Sequence, residues 1–390
     1  MRPLRIVVVM MEAPLPFGNA AARWFYVLLR GLVERGHRVT AFAACSKQSE
    51  IEQSRSLFPA PAYDLRLYPF GASKGGLLGK WETLTRPYSF MFSDDLKADL
   101  DHELAAGFDV LHLEQLWCGW AGLGHADKAL MNVHHLVWID LSEEKVRSFI
   151  QWKNHVVTFG TERRLVRAFK HFRSCSPRLV GPMKAVHPRA EITTVPVGLD
   201  TSLYPYIPDE NRSTVPTLTL IGTMYWYPSY SAAVRLLTRL WPEIKRRVPN
   251  ARLQIVGWKA REKLAEHVDA PDVTILENVP ETRPYFESTS VFLYAPSRGS
   301  GMKIKILEAM AFGVPVVTTS EGVEGLPAED GVHAGVADDD AGLIDRAVEL
   351  LQDPALQNRR REAARRLLED VCGPGPTLDG IEAIYERIVH

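Results

Sequence analysis

Residues 297–317 read SRGSGMKIKILEAMAFGVPVV, and their reading decides the fold. The residues just before them, VFLYAPS at 291–297, form an apolar run with the composition of a buried strand. Glycines at 299 and 301 then permit a tight turn and a close approach of backbone to a ligand. A helical run follows, with Ile306, Leu307, Met310 and Ala311 as its apolar stripe. Gly313 ends it, and VPVV at 314–317 returns to a sheet. A helix starting near Met302 or Lys303 would present free N–H groups and the positive end of its dipole, which makes an anion site. Lys303 and Lys305 oppose that dipole unless an anion relieves them. Lys305 and Glu308 are three apart and share a face. That spacing suits a cation for a diphosphate beside a carboxylate for ribose hydroxyls. The plainer alternative is a surface helix with solvated lysines and a locally paired Glu308.

Working outward, the second half of the chain alternates strand and helix. TLTLIGTM, ARLQIVGW, VTILENV, SVFLYAPS and VPVVTTS read as strands. The first half does the same, with RIVVVMM, RVTAFAA, FDVLHLEQL, ALMNVHHLV, FRSCSP and AEITTVPVGLD as strands. RIVVVMM, a helical segment and RVTAFAA make a βαβ unit with an expected right-handed crossover. Residues 204–216, YPYIPDENRSTVP, have linker composition. The pattern therefore predicts an α/β protein of two doubly wound, Rossmann-like domains facing a cleft, with ligand at the carboxyl ends of the strands. The expected domains are 1–205 and 206–375. The helical segment 376–390 is not placed by pattern, and packing back onto the first domain is one position open to it.

The 390 residues suffice for two cores, and a formal net charge of −1 gives no global argument for nucleic acid. Cys45, Cys118, Cys175 and Cys372 lie far apart without a C-x-x-C pair, which fits a reducing cytoplasm better than a disulfide framework or a zinc site. The apolar run at 6–11 is short for a secretory segment, and no stretch reaches the ~20 residues of a membrane span. The expectation is a cytoplasmic protein with peripheral contact at the inner face of a membrane left open.

KILEAMAFGVPVVTT at 305–319 resembles the donor-site signature of retaining glycosyltransferases of family 4 (glycosyl transferases group 1), which have the GT-B fold. LIGTMYWYPSYSAAVRLL, WPEIKRRVPNARLQIVG, EGVEGLPAEDGVHAGVADD and FRSCSPRLVGPMKAVHPRAEITTVPVGLD are similar to other segments of that family. The likeness is dense in the second half and thin in the first. It implies a metal-independent hexosyltransferase with a nucleotide-diphosphate sugar as co-substrate and no cofactor. The base would be uracil or guanine, and the acceptor a glycan, a lipid-linked glycan or a small molecule.

By position, the resemblance gives Glu308 to the ribose and Lys305 to the diphosphate, helped by backbone amides of Gly301, Met302, Lys303 and Ile304. Gly222 and Thr223 would lie against the phosphates, Val279 against the base, and Gly18 and Asn19, in PFGNA, would close over the donor. His134 would reach a sugar hydroxyl or help an acceptor lose its proton, with His135 as fallback. Two departures stand out. Ser300 occupies the place where the family often has a first glutamate for the sugar hydroxyls. No base follows Gly222, which leaves Lys305 and Arg298 to supply charge. The Ser300 departure motivates the rival reading, a non-catalytic GT-B partner subunit that binds nucleotide or carbohydrate.

Other constellations carry less. His112 and Glu114, at the end of LHLEQLW, are candidates for the acceptor side or an ordinary strand end. Asp338, Asp339 and Asp340 read as helix caps rather than metal ligands. Trp24 and Phe25 read as core, whereas Tyr225, Trp226 and Tyr227 could stack on sugar rings. Residues 145–189 interleave Arg163, Arg164, Arg167, Lys170, His171 and Arg173 with Phe159, Phe169 and Phe172. That is either a solvated helix face or a basic face for an anionic lipid surface or lipid-diphosphate acceptor.

Overall fold

The structure is a computed structural model and describes residues 2–72, 75–212 and 214–390; Ser213 of the linker segment lies outside them. The chain divides into two compact units, Met1–Trp138 with Lys145–Leu199 and Pro374–His390, and Ile139–Glu144 with Asp200–Gly373.

The first unit is built on a seven-stranded parallel sheet. Its strands are β1 (Arg5–Met10), β2 (Arg38–Cys45), β3 (Asp64–Pro69), β4 (Val110–Glu114), β5 (Ala129–Val133), β6 (His171–Ser174) and β7 (Glu191–Thr194), in the order β3-β2-β1-β4-β5-β6-β7. The second unit repeats the plan with β8 (Thr217–Ile221), β9 (Arg252–Gly257), β10 (Val273–Glu277), β11 (Val291–Tyr294), β12 (Val316–Thr318) and β13 (Gly335–Val336), in the order β10-β9-β8-β11-β12-β13. In each sheet the winding reverses once, between β1 and β4 and between β8 and β11. Doubly wound sheets bind ligands at that reversal, outside the carboxyl ends of the strands.

The central strands β4, β5, β8 and β11 are buried along their whole length, which explains why apolar residues dominate them. β3 escapes the sequence reading because it is an edge strand of alternating, half-exposed residues, DLRLYP. The first helix, Ala20–Glu34, is capped by Asn19, whose Oδ1 accepts from Ala22 N at 3.0 Å. It packs against the C-terminal helix, Pro374–Val389, which belongs to this unit and buries Leu378, Ile381, Ile384 and Tyr385. Gly31 allows the contact, since a Cβ there would lie 2.1 Å from Leu378 Cδ1.

In the second unit the linker segment is not loose. Tyr204 and Ile207 are buried, and Tyr204 meets Phe312 edge to face at 5.2 Å. Arg365 donates to the carbonyls of Thr201 and Tyr204. Gly313 must be glycine: its φ is +71°, and a Cβ would lie 2.4 Å from the Tyr206 ring.

Because Ile381 is fully buried against the first unit, Ile381→Ala should cost roughly 2–4 kcal/mol. Urea unfolding checks this, and a change below ~1 kcal/mol would show that the C-terminal helix is dispensable to that unit.

Candidate functional site

In the second unit the helix Ile304–Ala311 follows the turn after β11. Gly301 in that turn has φ +74°, a conformation that costs glycine little and other residues more. The helix starts slightly later than the sequence suggests, with Lys303 extended at its N-cap and making no side-chain cap. Lys305 points across the sheet reversal. Its Nζ donates to Ser229 Oγ at 2.7 Å and sits 4.3 Å from the centre of the Tyr294 ring. It also limits Gly222, at the end of β8, where a Cβ would come within 2.7 Å of the ammonium. No carboxylate among the described residues lies within ion-pair distance of Lys305. Burial, with Lys303 adding to it and Glu308 opposing, pushes the ammonium down to about 7.

The other predicted donor residues of this unit follow the carboxyl ends of its strands, whereas Gly18 and Asn19 belong to the first unit. Val279 follows β10, Gly222 and Thr223 follow β8, and Arg298, exposed, lies in the turn after β11. Glu308 is buried one turn along from Lys305. Tyr225 and Trp226 are exposed beside Trp258, which follows β9; the Tyr225 and Trp258 rings are 5.6 Å apart. Lys303 differs from expectation. It is spoken for within the protein: its Nζ donates to the Gly301 carbonyl and lies 3.3 Å from Glu324, with both side chains nearly buried. Ser300 is also engaged, donating from Oγ to Asp140 Oδ1 at 2.7 Å and from its backbone N to the same atom. Asp140, in the Ile139–Glu144 segment of this unit, therefore puts a buried carboxylate where the sequence shows only a serine. Nothing in the sequence pattern marked Asp140, Ser229 or Glu324: the first two lie far along the chain from 297–317, and Glu324, seven residues beyond it, has no spacing rule that pairs it with Lys303.

The first unit carries a second polar cluster at its own reversal. Glu114 ends β4 and is fully buried. It accepts from Trp24 Nε1 at 2.9 Å, from His134 Nε2 at 2.8 Å and from Asn132 Nδ2. His112 Nε2 lies 2.9 Å from it, and His112 Nδ1 bonds the Tyr385 hydroxyl at 2.5 Å. Arg173, also fully buried, donates to Asn132 at 2.7 Å and lies over the Trp24 ring. Burial would raise the Glu114 carboxyl, but His112 and His134 outweigh it and hold the group well below the usual carboxylate range. A carboxylate only accepts, so His134 Nε2 carries its proton and Nδ1 is left as the acceptor. Burial lowers the His134 imidazole against the pull of Glu114, so the ring is neutral near pH 7.

Several expectations are corrected here. His112 and Glu114 do not line an exposed surface; both are fully buried, and Glu114 is bonded to His134. His135 is half-buried. Around residues 163–173, Phe169, His171, Phe172 and Arg173 are buried in the unit, while Arg163, Arg164, Arg167 and Lys170 stay exposed. Asn19 caps the first helix, and near it Glu12, after β1, was missed by sequence reading. Its Oε2 is buried without a partner, and burial, eased by Asn19 and reinforced by Glu50, pushes the carboxyl up to about 7. Asp339 caps the helix Asp340–Gln352, accepting from Gly342 N at 2.8 Å. Among the described residues no cluster of three His, Cys, Asp or Glu side chains could hold a metal ion.

A family profile described as Glycosyl transferases group 1 matches residues 215–353, and one described as Glycosyltransferase Family 4 matches residues 21–203. Between them they take in most of both units. The chain belongs to the group 1, family 4 glycosyltransferases. A glycosyltransferase of Haemophilus influenzae, itself uncharacterised, is 30% identical over 106 residues, which are 26% of this chain and 29% of that relative. Solved structures share the fold, GT-B, over almost the full chain. HepE of Anabaena, in complex with UDP and glucose, has a TM-score of 0.66 at 13% identity, with 98% of this chain and 100% of that one covered. Sucrose-phosphate synthase from Thermosynechococcus elongatus has 0.72 at 14% identity, covering 98% and 99%. WaaG, a glycosyltransferase of lipopolysaccharide biosynthesis, has 0.64 at 13% identity, covering 97% and 99%.

Between about 7 and the ordinary value of 10.5, the unfolded chain holds a proton on Lys305 that the folded chain lacks, so this residue makes stability rise with pH in that window. Removing the charge lifts the penalty. Lys305→Met should leave the melting temperature at pH 7 unchanged or higher; a fall of several degrees would make the lysine a structural element instead.

Proposed function

We propose that this glycosyltransferase moves a sugar from a nucleotide-diphosphate sugar to a glycan, lipid-linked or small-molecule acceptor, with retention and without a metal. The observation that carries the donor reading is Lys305, a partly buried ammonium at the amino end of a helix with no carboxylate within ion-pair distance among the described residues. The diphosphate is the group that supplies the missing charge. Glu308, one helical turn away, suits the ribose hydroxyls. Strands lie about 4.8 Å apart, so from β8 to β10 the edge spans about 10 Å, which a nucleoside can bridge to reach the backbone at Val279. Exposed Tyr225, Trp226 and Trp258 supply stacking faces along it. Uracil is the first base to test, because HepE is solved with UDP.

In the proposed step the bond from sugar C1 to the leaving phosphate oxygen breaks and a bond from C1 to the acceptor oxygen forms. The acceptor proton passes to the departing diphosphate. What the chain contributes is stabilisation of charge growing on that phosphate, by Lys305 and the helix N–H groups. His134, neutral and fixed by Glu114, offers Nδ1 to a sugar hydroxyl. Asp140, holding Ser300, is a candidate for the hydroxyl-binding carboxylate that the sequence lacks at 300. Contact of residues 145–189 with the inner face of a membrane belongs to the same proposal, since it would bring a lipid-linked acceptor to the enzyme.

The test is slow hydrolysis of UDP-sugars by the purified chain. Hydrolysis is expected, at least about tenfold slower for Lys305→Met, the loss of one charge-stabilising group. Glu308→Ala should instead weaken UDP binding in calorimetry. A chain that binds UDP but never hydrolyses a donor, alone or with acceptor, would be the partner subunit.

A further inference from the structure

Two helices of the first unit carry apolar stripes that face water. In the helix Gly76–Thr85, Leu77, Trp81 and Leu84 are 84%, 65% and 47% exposed. Their spacing is i, i+4, i+7, the pattern that normally faces a core. In the long helix Phe149–Ala168, Phe149, Trp152 and Val156 are 74%, 51% and 52% exposed at i, i+3, i+7, with Ile150 beside them at 68%. Only the second half of that helix is anchored, by Thr161, Glu162, Leu165 and Val166; no residue in 149–160 is buried. The two helices touch, and Arg164 Nη1 donates to the Thr85 carbonyl at 3.1 Å. Phe149 and Trp152 stack on each other at 5.5 Å rather than on the protein.

Charge says what covers this surface. Each stripe contains an exposed lysine on its own face, Lys80 between Leu77 and Leu84, and Lys153 between Phe149 and Val156. From 145 to 170 there are seven lysines and arginines against one acid, in a chain whose net charge is −1. That acid, Glu162, is buried and accepts from the backbone N of Val137 and Trp138. Aromatics and aliphatics flanked by lysines that can snorkel are the chemistry of an acyl–headgroup boundary. A second copy of the chain would set this excess of positive charge against itself.

We propose that the stripes of Gly76–Thr85 and of 149–156 insert together into an anionic lipid surface. The inference rests on the membrane contact proposed above, but it moves the contact. The inserting residues are Leu77, Trp81, Phe149 and Trp152, not the phenylalanines at 159–172, and the helix Gly76–Thr85 joins them. The bases then sit at headgroup level, each worth about 1 kcal/mol, or roughly fivefold in binding.

Co-sedimentation of the full chain with vesicles tests this. The wild type is expected to bind vesicles containing phosphatidylglycerol, more weakly at high salt, and to bind pure phosphatidylcholine at least about tenfold more weakly. The triple variant Trp81→Ser, Phe149→Ser, Trp152→Ser should lose about tenfold or more on the anionic vesicles. Lys80→Glu with Lys153→Glu should lose binding there as well. Every substituted residue is exposed, so melting temperature and donor hydrolysis should be those of the wild type. Hydrolysis read on the same preparation separates a failure of this inference from a failure of the transferase reading. The inference is overturned if the wild type ignores anionic vesicles, if it binds both kinds equally, or if the triple variant binds unchanged. It is also overturned if light scattering shows a wild-type dimer that the triple variant abolishes.

Discussion

The amino group of Lys305 is partly buried, with a hydroxyl on one side and an aromatic ring on the other, and no carboxylate among the described residues lies within ion-pair distance. A partly buried cation without a counter-ion is unfavourable, and such groups cluster at sites of use. Much of the second unit is arranged around it. β8 and β11 meet at the sheet reversal, Gly222 has no side chain to crowd the ammonium, and the turn through Gly301 leads into the helix. Gly257 must be bare as well, because a Cβ there would strike the Gly222 carbonyl at 1.8 Å.

The first unit presents the opposite case at the equivalent place. Glu114 is buried as a carboxylate, yet it is fully served by Trp24, Asn132, His112 and His134, with Arg173 one residue further out. Nothing is left over for a ligand on Glu114 itself. Its effect is passed on through His134, whose tautomer and tilt it sets. This cluster also ties the C-terminal helix into the sheet through Tyr385 and His112, so the chemistry and the packing of that unit share residues.

Much of this was legible in the sequence. Most of the parallel strands are rich in apolar or β-branched residues, and eleven of the thirteen could be read directly; β3 and β13 were missed, one for its polar alternation and the other for being two residues long. Lys305 and Glu308 stood out because a helix start with two lysines violates the dipole. What could not be read were partners distant in sequence. Lys303 resembles Lys305 in the string, and only the fold shows that Glu324 claims it. Ser300 looked like a loss until Asp140, 160 positions away, proved to hold it. Arg173 and the phenylalanines around it have the composition of a surface and the location of a core, because strand β6 runs through them. Conversely Leu77, Trp81 and Phe149 look like core and stand in solvent.

The charge of Lys305 can be read directly by calorimetry of UDP binding at pH 8 in buffers of different ionisation enthalpy. An ammonium near 7 is mostly neutral at that pH and must gain its proton when the diphosphate arrives, so uptake of about one proton per UDP is predicted, absent in Lys305→Met. Binding with no proton uptake, or the same uptake after Lys305 is removed, would contradict the account.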